Sequence, residues 1–132
     1  MISAQRRSIE VEGFDHGLQP IPAASRVGGL VISGGIYGLD SETGKLPDDV
    51  ATQTELMFQQ FERIVAAAGA SLGDIVRMTF YLKDPAARDH INRQWLGCFP
   101  DAASRPARHT LNYDGLPANM LVQCDFTAMV PE

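Results

Sequence analysis

Two segments of the chain place apolar residues at helical spacing. The first follows the four-three-four-three spacing of one helix face; Asp48 or Asp49 can cap its start, and Gly69 ends it. The second begins at Asp84-Pro85, with the aspartate as cap and the proline in the first helical position. The pattern predicts two core-facing helices, with Asn92 exposed beside the second stripe. The apolar positions are Val50, Thr54, Met57, Phe61, Ile64, Val65 and Ala68 in the first helix and Ile91, Trp95, Cys98 and Phe99 in the second.

The remaining apolar segments have the length and alternation of strands. A loop rich in Gly and Pro, residues 13 to 24, separates the first strand from the second. Strands come before, between and after the two helices, so the order predicts an α+β fold with one mixed sheet and both helices on one side. The predicted strands are residues 8–12 at an edge, 27–35 as a buried run, 36–39, 74–83 with Val76, Met78, Phe80 and Leu82 on one face, 107–113, and 120–130.

The strand that follows Pro106 carries the most suggestive polar residue. Alternation puts Arg108 and Thr110 on one face and His109 on the other. A guanidinium held at the start of a rigid strand can grip a carboxylate with two parallel hydrogen bonds. The alternative interpretation is an ordinary surface ion pair.

The last strand predicts one apolar face and one polar face. Cys124 and Phe126 lie on the apolar face, which must meet the helices, while Gln123 and Asp125 lie on the other. If this strand pairs with the strand of Arg108, the polar pair shares the face of Arg108. The mixed polar and apolar character of that sheet face predicts packing against other subunits.

Composition excludes several classes of protein. With 132 residues the chain is long enough for one domain, residues 1 to 132, and no linker suggests a second. A net charge of -5 with scattered basic residues argues against binding nucleic acid. The sequence shows no signal peptide, membrane-spanning run, zinc spacing or P-loop, so we expect a cytoplasmic protein with no metal or cofactor. Cys98 and Cys124 are interpreted as reduced core thiols. His16 is either a solvated loop residue or a site contact.

Seven short motifs occur in an order and at a spacing that resemble the RidA/YjgF family of imine/enamine deaminases, also known as L-PSP endoribonucleases. The likeness runs from about Val27 to the C-terminus. No single motif is strong, but seven in register make chance resemblance improbable. They are residues 30–34 (LVISG), 43–44 with 53–54 (TG and QT), 67–76 (AAGASLGDIV), 81–84 (YLKD), 91–92 (IN), 106–108 (PAR) and 115–117 (GLP).

The resemblance implies a chorismate-mutase-like α+β fold. It also implies a homotrimer with a barrel-like centre and three substrate clefts between neighbouring subunits. It assigns Arg108 as the clamp for the carboxylate of a 2-imino or 2-enamino acid. Ser33 and Gly34 match positions that line the cleft, Asn92 matches a helix residue near it, and the backbone of Thr110 matches a ligand contact.

Two residues depart from the family pattern. Where the archetypal deaminase carries an acidic residue that positions the hydrolytic water, this chain has Gln123. An amide orients water without accepting its proton, and loss of a general base costs about 10²–10⁴-fold in rate. Asp125 lies on the same face, about 6.5–7 Å further along the strand. The archetype also has a tyrosine after a proline in the N-terminal loop, where Pro20 is here followed by Ile21; His16 is a speculative replacement.

Three functions follow from these observations. In the first, an imine acid docks on Arg108 and water held by Gln123 attacks the C=N carbon, which yields ammonia and a keto acid; a larger substrate such as an aminomuconate is a variant. In the second, a trimer binds small carboxylate metabolites without turnover, as the amide of Gln123 would suit. The third is RNA cleavage, which the charge and the lack of a histidine pair disfavour.

Overall fold

One six-stranded mixed sheet carries most of the candidate residues. The computed structural model describes residues 5 to 131, and the strand order is β1-β2-β3-β6-β4-β5. Strands β4 and β5 run parallel, and the other neighbours are antiparallel. The predicted α+β fold is confirmed. The elements are β1 (Arg7–Ile9), β2 (Ala24–Val27), β3 (Leu30–Ser33), α1 (Val50–Ala67), a 3₁₀ turn (Leu72–Asp74), β4 (Ile75–Leu82), α2 (Ala87–Cys98), β5 (Ala107–Asn112) and β6 (Val122–Met129).

The prediction of one strand over residues 27–35 was wrong, because Val27 is the last residue of β2 and only Leu30–Ser33 forms β3. Val27 ends β2 and pairs with Leu30 at the start of β3, across a two-residue turn in which Gly28 has φ of 57°. A left-handed glycine reverses the chain, and hydrophobicity alone did not reveal the break. The predicted strand 36–39 is reduced to a single bridge between Ile36 and Cys124.

A β-bulge corrects the predicted faces of β4. The register shifts between Ile75 and Arg77, so Val76 is the extra residue and is 53% exposed instead of joining Met78 in the core. Ile75 is buried in its place. From Met78 onward the predicted alternation holds.

Both helices form where the pattern places them, with one corrected start. Asp49 caps α1 by accepting the backbone N–H groups of Ala51 and Thr52. Helix α2 begins at Ala87 and not at Pro85, because the Asp84 carboxylate accepts the N–H of Ala86 and closes a turn ahead of the helix.

Aromatic contacts show which sheet face the helices cover. Phe58 of α1 stacks on Phe80 at 5.7 Å between centroids, and Phe61 meets Phe126 edge-on at 5.4 Å. Trp95 of α2 also contacts Phe80, at 6.3 Å. The opposite face, called the open face below, has no helix among the described residues. It leaves Ile32, Leu111, Tyr113 and Met129 roughly half exposed.

Two expectations from the sequence concern the cysteines and membrane-spanning helices. Both cysteines are free thiols, as expected. Burial raises the pKa of Cys98 to about 11, and its hydrogen bond to the Glu62 carboxylate acts in the same direction. Among the described residues, no helix is long and apolar enough to cross a membrane.

A buried amide joins α1 to the loop that precedes β6. The Gln53 side chain donates to the carbonyls of Pro47 and Asn119 and accepts the N–H of Leu121 at 2.9 Å. Since Gln53 is fully buried, its own amide group depends on these three hydrogen bonds. This residue therefore holds the loop that leads into β6.

We predict that Gln53→Leu lowers the free energy of unfolding by about 2–4 kcal/mol, because it removes three hydrogen bonds of the buried amide, two of which join α1 to the loop before β6. Urea denaturation at one fixed protein concentration measures the effect. The control is Gln59→Leu on the exposed side of the same helix, with an expected change within about 0.5 kcal/mol. Equal losses in the two variants would contradict the assigned role of Gln53.

Candidate functional site

Arg108 lies on the helix-covered face of the sheet, at its β5 edge. It pairs with Met78 across the parallel ladder. Its guanidinium carbon is 5.1 Å from the ring centroids of both Phe80 and Trp95. Its Nε donates to the Thr110 hydroxyl at 2.7 Å, so the predicted common face of the two residues is confirmed. The rings and the hydroxyl hold the guanidinium in one orientation.

The charge of Arg108 has no carboxylate partner among residues 5 to 131. Partial burial, and secondly the like charge of Arg88, lower the pKa of its guanidinium. The ion pair considered from the sequence is therefore not formed in the described part of the chain. A partly desolvated cation with free donors favours binding of an anion.

Asn92 extends this region along α2. It is exposed and precedes Trp95 by three residues, which puts the two side chains on neighbouring positions of one helix side. We call the surface formed by Arg108, Thr110, Asn92 and Trp95 the Arg108 groove; the contacts of Arg108 with Trp95 and Thr110 join α2 to β5 there.

Gln123 lines a different space, a cleft of about 730 Å³. Its amide lies against Gly35, where an added Cβ would be only 2.7 Å from the amide carbon. Its Nε2 also meets the Met120 sulfur at 3.5 Å. We call this space the Gln123 cleft; its walls include His16, Ile21, Tyr37, Leu46, Met120 and Gln123.

His16 is a wall of the Gln123 cleft, which agrees with the site-contact interpretation. Its Nε2 lies 2.7 Å from the Gly35 carbonyl oxygen, a contact that requires the proton on Nε2. The edge of Phe14 flanks the ring at 5.3 Å. Its Nδ1 is buried and has no hydrogen-bond partner among the described residues. The histidine thus joins the N-terminal loop to the glycine that supports Gln123.

Neither Ser33 nor Gly34 is among the residues that line this cleft; Ser33 ends β3 and Gly34 follows it. The Ser33 hydroxyl donates to the Gly34 carbonyl at 2.8 Å and accepts the Phe126 N–H at 2.9 Å. The Ser33 hydroxyl is buried, and both of these hydrogen bonds are made within the fold. An added Cβ at Gly34 would be 3.8 Å from the His16 ring, so Gly34 lies close to the cleft wall.

Asp125 lies on the open face and is not among the residues that line the Gln123 cleft. It accepts the Tyr81 hydroxyl at 3.3 Å. Burial raises the pKa of its carboxyl, an effect that the Tyr81 hydrogen bond and the nearby Arg77 charge oppose. It is therefore a partly buried carboxylate next to the candidate water-holding residue.

Arg108 does not share a face with Gln123 and Asp125, which corrects the expectation based on strand pairing. Strand β4 lies between β5 and β6. Met78 pairs with both Arg108 and Phe126, whereas Thr79 pairs with Asp125. Residues paired across a ladder share a face, so the backbone of the sheet separates the two groups. The strands themselves are about 9.5 Å apart, twice the usual spacing.

Sequence reasoning missed two contributors to these spaces. Trp95 was assigned to the core alone, yet it is also a wall of the Arg108 groove. Tyr37 lines the Gln123 cleft and donates to the Asp15 carbonyl; burial raises the pKa of its hydroxyl. Neither role has a signal in the pattern of apolar positions. Among the described residues, no group of three His, Cys, Asp or Glu side chains is placed to hold a metal ion.

The chain is similar to several known proteins along most of its length. The family model described as Endoribonuclease L-PSP matches residues 19–130. A RutC family protein of Pyrococcus abyssi is 32% identical over 110 residues, 83% of this chain and 85% of that protein. The 2-iminobutanoate/2-iminopropanoate deaminase of Escherichia coli is 27% identical over 124 residues, 93% of this chain and 97% of that protein.

A solved structure repeats the fold. The crystal structure of Escherichia coli TdcF with bound serine matches with a TM-score of 0.84 at 26% identity, and the match covers 95% of this chain and 99% of that one. A family match over more than four-fifths of the chain and a shared topology agree with the motifs found in the sequence. The chain belongs to the endoribonuclease L-PSP family, the RidA/YjgF family of proteins.

Proposed function

We propose that this protein hydrolyses small 2-imino or 2-enamino acids to keto acids and ammonia, with the substrate carboxylate held by Arg108. The observation that carries the proposal is the orientation of the Arg108 guanidinium, with two aromatic rings and one hydroxyl around it and no carboxylate partner among the described residues. The deaminase relative supports the reaction class.

The site is composite in this proposal and lies between two subunits of a homotrimer. Within one chain the sheet separates the Arg108 groove from the Gln123 cleft, so one small substrate does not reach both. The Arg108 groove of one subunit facing the Gln123 cleft of its neighbour brings the clamp and the water-holding amide together. The half-exposed apolar residues of the open face support such an assembly.

In the proposed mechanism, Gln123 only holds and orients the attacking water. Its amide oxygen accepts a hydrogen bond from a water, and the water oxygen attacks the C=N carbon while the imine nitrogen takes up a proton. The resulting carbinolamine loses ammonia and leaves the C=O of the keto acid. Imines are electrophilic, so orientation and charge stabilisation supply much of the rate gain. Ser33, Gly34, Asn92 and Thr110 shape the binding region, and Asp125 stands beside it.

A second candidate function is binding of small carboxylate metabolites without turnover. The amide at position 123 favours it, because no carboxylate stands there to accept a proton. The TdcF structure with serine supports small amino- or keto-acid ligands.

A larger deaminase substrate, such as an aminomuconate, is consistent with a cleft of about 730 Å³ that lacks the archetype's tyrosine. The expected location remains the cytoplasm.

Trp95 reports on the first step of either function. It is the only tryptophan, and its ring lies against the Arg108 guanidinium. We predict that 2-oxobutanoate changes the Trp95 emission in a saturable way and that Arg108→Gln weakens the affinity about 10–100-fold, since a charge-assisted hydrogen bond is lost. A fluorescence titration measures this.

The matched control is Arg93→Gln, which removes the same charge from an exposed position on α2. We expect its dissociation constant to match that of the wild type. Equal affinity in wild type and Arg108→Gln, with both proteins folded by circular dichroism, would refute Arg108 as the carboxylate clamp.

Gln123→Glu tests whether the proposed deaminase lacks a base, and the same assay distinguishes the two candidate functions. We predict that it raises kcat for 2-iminobutanoate by about tenfold or more, because it supplies a base next to the water. An amino-acid dehydratase generates the imine in situ, and formation of 2-oxobutanoate is followed. Wild-type acceleration that Arg108→Gln removes establishes the deaminase; binding without acceleration by the wild type establishes the binder.

Gln19→Glu is the control for added charge, because Gln19 lines the same cleft away from Gly35. We expect no gain in rate from it. A gain of the same size in both variants would show that negative charge in the cleft, and not a base at position 123, limits the reaction.

A further inference from the structure

Helix α2, which carries Asn92 and Trp95 of the Arg108 groove, also carries a second arginine, Arg88. Arg88, Asn92 and Trp95 occupy positions i, i+4 and i+7 of α2, and so share one side of the helix. The Trp95 end of this side contacts the Arg108 guanidinium. Arg88 is exposed at the other end, about 10 Å along the helix axis.

The directions of the elements place Arg88 beside the outer part of β5. Helix α2 starts just after the end of β4, and its last turn reaches the cavity that Leu72 and Ile75 line at the start of β4. The helix is therefore antiparallel to β4 and to the parallel strand β5. Moving from Trp95 back to Arg88 follows the same direction as moving from Arg108 to Thr110.

Electrostatics agrees with this placement. The charge of Arg88 is close enough to oppose the protonated state of Arg108 and lower its pKa, after the larger effect of burial. Two like charges on one side of a helix both attract an anion that binds between them. Among the described residues, neither guanidinium is hydrogen-bonded to a carboxylate.

We propose that Arg88 binds a second carboxylate of the substrate, so that this protein prefers imines of dicarboxylic amino acids over those of monocarboxylic ones. Arg108 holds the carboxylate next to the imine carbon, and Arg88 holds the one at the far end of the side chain. Asn92, between them, lies beside the chain that joins the two groups. The preference in turnover rests on the proposed deaminase function; the preference in binding does not.

Binding is tested with two keto acids of equal length, 2-oxoglutarate and 2-oxopentanoate, which differ by the distal carboxylate alone. Titration of Trp95 fluorescence should show about tenfold tighter binding of 2-oxoglutarate by the wild type, the size of one charge-assisted contact. Arg88→Gln should reduce the difference to less than about twofold and leave the affinity for 2-oxopentanoate unchanged. Arg93→Gln, on another side of α2, should keep the full difference.

Three results would overturn the proposal. They are equal affinity of the wild type for the two acids, equal weakening of both by Arg88→Gln, and the same loss in Arg93→Gln. The last two would show a general effect of net charge. Extending the series to 2-oxoadipate measures the span between the arginines, because the tightest binder has the matching length.

Turnover separates this inference from the proposed function. An amino-acid oxidase supplies 2-iminoglutarate from glutamate and 2-iminopentanoate from norvaline, and release of the keto acid is followed. Discrimination in binding without turnover of either imine refutes the deaminase and leaves the role of Arg88 standing. Turnover of both imines at equal kcat/KM, with equal binding, refutes the role of Arg88 and leaves the deaminase standing.

Discussion

The contact of the Arg108 guanidinium with Phe80 and Trp95 is the interaction on which the candidate site depends. Both rings belong to the core between the sheet and α2, so the cation is oriented by packing and not by a flexible ion pair. Aromatic faces attract a cation and still leave its N–H donors available. The core thus prepares a positive charge for a ligand that brings a negative one, at a strand edge where the groove is accessible.

The two faces of the sheet carry different parts of the candidate site. Cys124 and Phe126 bind the helices, while Gln123 and Asp125 point away from them, because alternation leaves no other choice on a strand that is half buried. In the proposed mechanism the carboxylate clamp is on one face and the water-holding amide on the other, so a single chain would lack a complete site. In the proposed trimer, catalysis therefore requires assembly. Substitutions at the open face should impair both assembly and catalysis.

Alternation and helical spacing were enough to find the helices, the Arg108 strand and the faces of β6, since each depends on residues that are close in sequence. The partners of each strand depend on long-range packing. For this reason the shared face of Arg108 and Gln123 was predicted wrongly: β4 inserts between their strands. The bulge at Val76 and the turn at Gly28 were missed because one extra residue or one left-handed glycine leaves no trace in a hydrophobic pattern. Trp95 was recognised as core, but its second contact with Arg108 required the tertiary structure.

In the proposed deaminase, the amide at position 123 changes where selectivity must arise. Without a base at that position, the chemical step relies on an electrophilic substrate held in the right orientation, and many imines satisfy the first condition equally well. Discrimination among them then falls to the groups that contact the rest of the molecule. The Arg108 groove, with Asn92 and Arg88 further along α2, carries two positive charges that could serve this purpose. If both proposals hold, the protein is a weak catalyst with a selective anion site, which suits removal of one particular reactive acid better than general clearance of imines.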